Sequence, residues 1–203
     1  MAYYVTSDWH FDHSNICGQN SFEPETRGHF ATIDHMNDTI INNINQNTKT
    51  DDVIYHFGDI GLGRPNRLLE LVNRIHCKIV FIRGNHDNSK LIKKLIQNGY
   101  EVHDVGYRHK QDGKIYLFTH YPLGIGDKRV NIRNLCGHIH GETSYGWNVL
   151  NIGIDSPEIK SLGLKFGQPV PLEDAIRLVE EKWEKNMKNT LTEEEWIRYG
   201  GSK

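Results

Sequence analysis

The chain has 203 residues, 37% hydrophobic and 25% charged, with a formal net charge of −2. That length suits one domain with a sizeable core, and the near-neutral charge offers no global basic field for nucleic acid or an anionic membrane. No run reaches the roughly 18–20 apolar residues that span a bilayer. The opening Met1–Tyr4 lacks the basic segment of a secretory signal, and the three widely spaced cysteines form neither a disulfide framework nor a thiolate zinc motif, so a cytoplasmic protein is expected.

Residues 2–6 read as a strand ending at Ser7-Asp8. Ile33, Met36, Ile40, Ile41 and Ile44 then fall on one helical face. A second strand over 53–57 ends at Gly58-Asp59, and Leu68, Leu71, Val72 and Ile75 mark a second helix with Pro65 near its first turn. Lys78–Ile82 is a continuous apolar run suited to a strand buried on both faces, and it ends at Arg83-Gly84-Asn85. Ser89 is expected to cap a third helix carrying the pairs Leu91/Leu95 and Ile92/Ile96. Asp112-Gly113 signals a hairpin. Strands follow at 114–118, leading to His120, at 132–135, leading to Gly137-His138, and at 147–152. Leu172, Ala175, Ile176, Val179 and Trp183 form an amphipathic helix whose stripe reads as core packing. Thr192 with Glu195 reads as a capping box for a last helix. No repeat or linker interrupts the chain, so a single domain over 1–203 is expected, with a C-terminal helical tail from about residue 171.

The first half alternates β-α-β-α-β-α, which favours a parallel sheet with ligands outside the carboxyl ends of its strands. The polar clusters sit at such ends: Asp8, His10, Asp59, Asn85, His86, His120, His138 and His140. Carboxylates, imidazoles and an amide without thiolate suit hard-to-borderline ions such as Mn²⁺, Fe²⁺ or Zn²⁺. Setting His86 aside, they are about enough for two metals that share one carboxylate. His138 and His140 stand two residues apart, as do Asp8 and His10; read as extended chain, each pair points to one side. Gly58, Gly84 and Gly137 precede these residues, where a missing Cβ lets backbone approach a crowded site.

Taken in order, D-x-H (Asp8 to His10), G-D (Gly58-Asp59), G-N-H-D (Gly84 to Asp87), a lone His120 and G-H-x-H (Gly137 to His140) resemble the calcineurin-like metallophosphoesterase superfamily. The segments "TSDWHFDHSNI", "DDVIYHFGD", "FIRGNHD", "LNIGID" and "PVPLEDAI" are similar to its small bacterial and phage-type members, a resemblance spanning residues 3–176. It implies an α/β fold, a β-sandwich of two mixed sheets flanked by helices. It implies that Asp8, His10, Asp59 and His140 hold one divalent metal, and Asp59, Asn85, His120 and His138 the other, with Asp59 bridging. His86 would be the general acid, and the nucleophile a hydroxide activated by the two metals. Mn²⁺ is the expected ion, with Fe, Zn or Ni as alternatives. The substrate class is a small phosphorylated or nucleotide-like mono- or diester; no membrane partner and no double-stranded nucleic acid are expected.

The sequence departs from the protein-phosphatase branch at Leu62, where that branch has an aspartate, and at Asp87, where it has glutamate. Both departures argue against a protein phosphatase and leave Asp87 as the candidate to orient His86. Two other functions compete: a non-catalytic metal-binding scaffold, and a nuclease acting on single-stranded nucleic acid. His13 and Asn15 either touch substrate or cap the following turn, and Arg83 either binds phosphate or pairs with a carboxylate. His56 reads as packing, Arg129 and Arg133 as solvated, and Cys136 as a buried inert thiol.

Overall fold

The computed structural model describes residues 1–125 and 131–198. Its elements begin with β1 (Tyr3–Thr6), α1 (Pro24–Arg27), α2 (Ile33–Asn47), β2 (Val53–His56), α3 (Pro65–Val72), β3 (Lys78–Ile82), α4 (Ser89–Gln97) and β4 (Glu101–His103). They continue with β5 (Gly106–Gln111), β6 (Lys114–Thr119), β7 (Ile132–Cys136), β8 (Val149–Asn151), α5 (Pro157–Lys160), β9 (Val170–Pro171), α6 (Leu172–Lys188) and α7 (Glu193–Arg198). One sheet has the order β4-β3-β2-β1-β9, parallel except for β9, which runs antiparallel to β1. The other has the order β5-β6-β7-β8, with β5 antiparallel and the rest parallel. The architecture is therefore the expected α/β arrangement of two mixed sheets flanked by helices.

Strand periodicity sorts the core into two layers. Ile54, Ile79 and Phe81 face the helices, packing with Met36, Ile40, Ile44, Leu68 and Leu91. Their neighbours Val53, Tyr55, Val80 and Ile82 face the second sheet and meet Tyr116, Phe118, Leu135 and Leu150. Residues 79–82 of β3 are thus buried on both faces, as the unbroken apolar run requires.

Local signals behave as their chemistry demands. Pro65 opens α3. Asp112 (φ 49°) and Gly113 (φ 74°) both take the left-handed conformation, as a two-residue hairpin turn requires. The Thr192 hydroxyl accepts from the Glu195 N–H at 3.3 Å while the Glu195 carboxylate accepts from the Thr192 N–H at 2.9 Å, completing the capping box. Two expectations need correction. Ser89 is already the first helical residue of α4; Asn88, with extended backbone, is the cap and accepts from the N–H groups of Lys90 and Leu91. Arg133 is fully buried, because β7 turns it toward α6. There it pairs with Glu180 at 3.1 Å and lies 4.3 Å from the Trp183 ring centroid. Arg129 lies outside the described residues.

Candidate metal centre

The loops leaving β1, β2, β3, β6 and β7 converge at one end of the sheets. Asp8 follows β1 and donates its N–H to the Gly58 carbonyl at 3.0 Å; His10 does the same to the Asp59 carbonyl at 3.1 Å. Close approach depends on glycine: a Cβ on Gly84 would strike the Asp59 backbone and carboxylate, and one on Gly137 would strike Ser7 and Asp8. The extended reading of the paired ligands is corrected here. Asp8 (φ 61°), His10 (52°), Asp59 (57°), His138 (74°) and His140 (45°) are all left-handed. This conformation costs of order 1–3 kcal/mol per non-glycine residue, and it concentrates at functional sites. It aims each side chain inward separately, so His138 and His140 enter different clusters.

Asp8, His10 and His140 bring donor atoms within 4.8 Å of one another, and Asp59, His120 and His138 form a second such set. The sets meet at Asp59: its Oδ2 lies 3.6 Å from His10 Nε2 and 3.5 Å from His120 Nε2. Asn85 joins the second set through Oδ1, 2.8 Å from His120 Nε2. His120 Nδ1 is 2.8 Å from the Phe57 carbonyl, so Nδ1 carries a proton there. Burial holds the ring toward its neutral form despite Asp59 nearby, which leaves the Nε2 lone pair facing another acceptor. Two acceptors in contact call for a cation between them. His10 Nε2 is likewise buried without a hydrogen-bond partner, and burial lowers the pKa of His10 well below the ordinary imidazole value. Burial also pushes Asp8 up to about 7, against the lowering influence of His140 and with a smaller repulsion from Asp59 added. Two carboxylates and four imidazoles, with the buried His10 Nε2 unpartnered, fit divalent ions.

His86 belongs to neither set. Its N–H donates to Asp59 Oδ1 at 2.9 Å, its Nε2 lies 3.9 Å from Asp59 Oδ2, and its side chain is 36% exposed at the mouth. Asp87 does not orient it. The Asp87 carboxylate accepts from the N–H groups of Asp59, Ile60 and Gly84 at 2.8–2.9 Å, and so ties the two ligand loops together. Burial nevertheless raises the Asp87 carboxyl to about 6.

Several contributors carried no assigned role in the sequence. Asp155 receives the His140 Nδ1–H at 3.4 Å and forms a two-pronged pair with Arg27, at 2.9 and 2.7 Å. Arg27 also donates to the carbonyls of Asp8 and Trp9, pinning the first ligand loop. Both charges are fully buried. His13 turns inward: its Nδ1 lies 3.1 Å from His10 Nδ1 and its ring stands beside those of His86 and Phe22. Asn15 is exposed and shares a hydrogen bond with Ser14. Arg83 takes the carboxylate alternative, 3.7 Å from Asp104, and donates to the Asp87 carbonyl. His56 packs against Trp9, and Cys136 is buried with its thiol pKa raised by burial.

Residues 1–196 match the sequence profile of the calcineurin-like phosphoesterases, so the chain belongs to that family of metal-dependent phosphoester hydrolases. An uncharacterized protein, MJ1445 of Methanocaldococcus jannaschii, is 33% identical over 129 residues, which cover 58% of this chain and 68% of that one. Among solved structures, the protein of unknown function AQ665 from Aquifex aeolicus shares the fold, with TM-score 0.65 and 23% identity over 87% of this chain and 98% of that one. A novel archaeal phosphodiesterase superposes more loosely, with TM-score 0.42 and 17% identity over 77% and 84% of the two chains.

Proposed function

We propose that this chain hydrolyses a phosphate monoester or diester of a small, nucleotide-like substrate, using two divalent ions, Mn²⁺ first among them. The observation that carries the reading is the meeting of two donor sets on one carboxylate oxygen, Asp59 Oδ2, at 3.6 and 3.5 Å from a histidine of each. Asp8, His10, Asp59 and His140 would hold one ion and Asp59, Asn85, His120 and His138 the other. When bound, such ions supply Lewis acidity, neutralising phosphate charge and lowering the pKa of water. The chain's own work is to hold Asp59 between both sets, to keep His120 in the tautomer fixed by the Phe57 carbonyl, and to present His86 at the mouth. There His86 donates a proton to the leaving oxygen. Among the described residues no helix is long and apolar enough to cross a membrane, and Cys17, Cys77 and Cys136 are free thiols, which suits a reducing cytoplasm.

Mn²⁺-loaded protein should cleave 4-nitrophenyl phosphate mono- or diesters; no turnover of either with any divalent ion removes the reading. His86→Ala should keep its metal content while losing roughly 10²–10⁴-fold in rate on alkyl esters, and less on nitrophenyl esters, whose leaving group needs little protonation. Loss of metal in that variant would make His86 a ligand instead.

A further inference from the structure

Among the described residues, Tyr3, Phe22, Tyr121 and Tyr145 are the aromatic side chains that stand exposed. Tyr3 opens β1 and Tyr145 donates to Glu142 at 3.2 Å, while Phe22 and Tyr121 sit on loops beside the metal centre. Phe22 (53% exposed) lies against His140 and His13, with ring centroids 5.6 and 5.7 Å away, on the flank of the first donor set. Tyr121 (50% exposed) lies against His138 and His120, at 4.7 and 5.0 Å, on the flank of the second. Neither ring hangs from a loose chain. The backbone on both sides of Phe22 is tied: the Ser21 N–H donates to the Gly18 carbonyl at 2.9 Å, and the Glu23 N–H donates to the Ser21 hydroxyl at 2.9 Å. The Tyr121 carbonyl accepts from the Thr119 hydroxyl at 2.6 Å, and the Leu123 N–H donates to Asn134 at 2.8 Å. Each ring packs on imidazoles of one donor set and leaves about half its surface to whatever enters the mouth of the centre, where an aromatic face can stack on a planar group.

We infer that Phe22 and Tyr121 are specificity determinants, and that the substrate is a phosphodiester carrying a planar group of the nucleoside type on each ester oxygen. The inference rests on the hydrolase reading above. Phe22 stands on His140 of the first donor set and Tyr121 on His138 of the second, so the two rings flank the point at Asp59 Oδ2 where the sets meet, and a diester has one substituent for each ring. A monoester occupies one flank and leaves the other ring wet. Every base has a π-face, so stacking selects for ring systems without reading which base is present.

The test compares two diesters with the same leaving group on Mn²⁺-loaded protein: thymidine 5′-(4-nitrophenyl phosphate), with a ring on each side, and methyl 4-nitrophenyl phosphate, with a ring on one. The wild type should favour the thymidine ester by about 5- to 150-fold in kcat/KM, the range of one stacked base, expressed mainly in KM. In Phe22→Ala/Tyr121→Ala that preference should fall to within about twofold, and Tyr121→Phe, which keeps the ring, should retain it. A wild type with no preference, or a double variant that loses both substrates in equal proportion, overturns the inference. Turnover of neither ester by the wild type removes the hydrolase reading itself, whereas turnover of the methyl ester without a thymidine advantage removes only the assignment of the rings.

Discussion

Asp8 and His140 rest on a buried ion pair, whereas Asp59 and His120 rest on backbone groups. On the first side Arg27 grips Asp155 and the carbonyls of Asp8 and Trp9, while Asp155 receives the His140 proton. On the second, His120 leans on the Phe57 carbonyl, and the loop of Asp59 is held by its own N–H groups on Asp87. A carbonyl at a strand end is present whatever the side chain, so the support of His120 is robust to substitution at Phe57, and the second set depends on one side chain, the Asp87 carboxylate. The first depends on two charges 128 residues apart, each of which would be costly alone in the interior.

Asp59→Asn should act on both sides at once and have the largest effect. The amide gives up the charge that offsets repulsion between two cations. Activity should fall to background and elemental analysis should find fewer than two metals per chain; two retained metals would remove Asp59 from the bridge. Asp155→Asn should break only the first side, leaving Arg27 buried and uncompensated, at about 3–5 kcal/mol of stability in urea unfolding. The pH dependence has a fixed sign. Burial raises the Asp155 carboxyl, but Arg27 and the hydrogen bonds from His140 and Thr26 more than reverse this, holding it well below the ordinary range. Its contribution is therefore fully present above the unfolded value near ~4 and fades as the pH falls, so the gap between wild type and variant should narrow in acid.

Asp87→Asn tests the second side. The amide keeps one acceptor where the carboxylate served three N–H groups, and the expected cost is about 1–3 kcal/mol, with the first metal retained. Equal loss of both metals would show that the halves are not braced independently. Asn88→Ala, one residue further on, should cost only about 1 kcal/mol through the α4 cap and leave metal content alone.

Much of the fold could be read from the chain because its signals are local and periodic: the parallel strands from alternating apolar runs, the hairpin from Asp112-Gly113, the last helix from Thr192 and Glu195. The eight strand-end residues were likewise legible, since each stands where a strand pattern stops, and the fold brings them into one region. What the sequence hid is tertiary. Arg27 sits in a short polar helix that reads as surface, and Arg133 looks solvated until α6 covers β7. Asp155 lies in the segment "LNIGID", yet its role depends on the Arg27 and His140 it meets across the fold. The left-handed backbone at five of the candidate ligand positions was hidden too: aspartate and histidine are enriched in that conformation, but most of them elsewhere take negative φ, so residue type alone does not mark which will turn.

The antiparallel contact of β1 with Val170 and Pro171 has a consequence during synthesis. β1 leaves the ribosome before the other strands of its sheet, and β2 covers one of its edges soon afterwards. The other edge stays open until some 165 further residues have followed, counting from Val5 to its partner Val170. Throughout that interval the nascent chain presents unpaired N–H and C=O groups flanked by apolar side chains, a template for pairing with other chains. Chains stopped before residue 170 should therefore reach the insoluble fraction in greater proportion than chains that carry Val170 and Pro171.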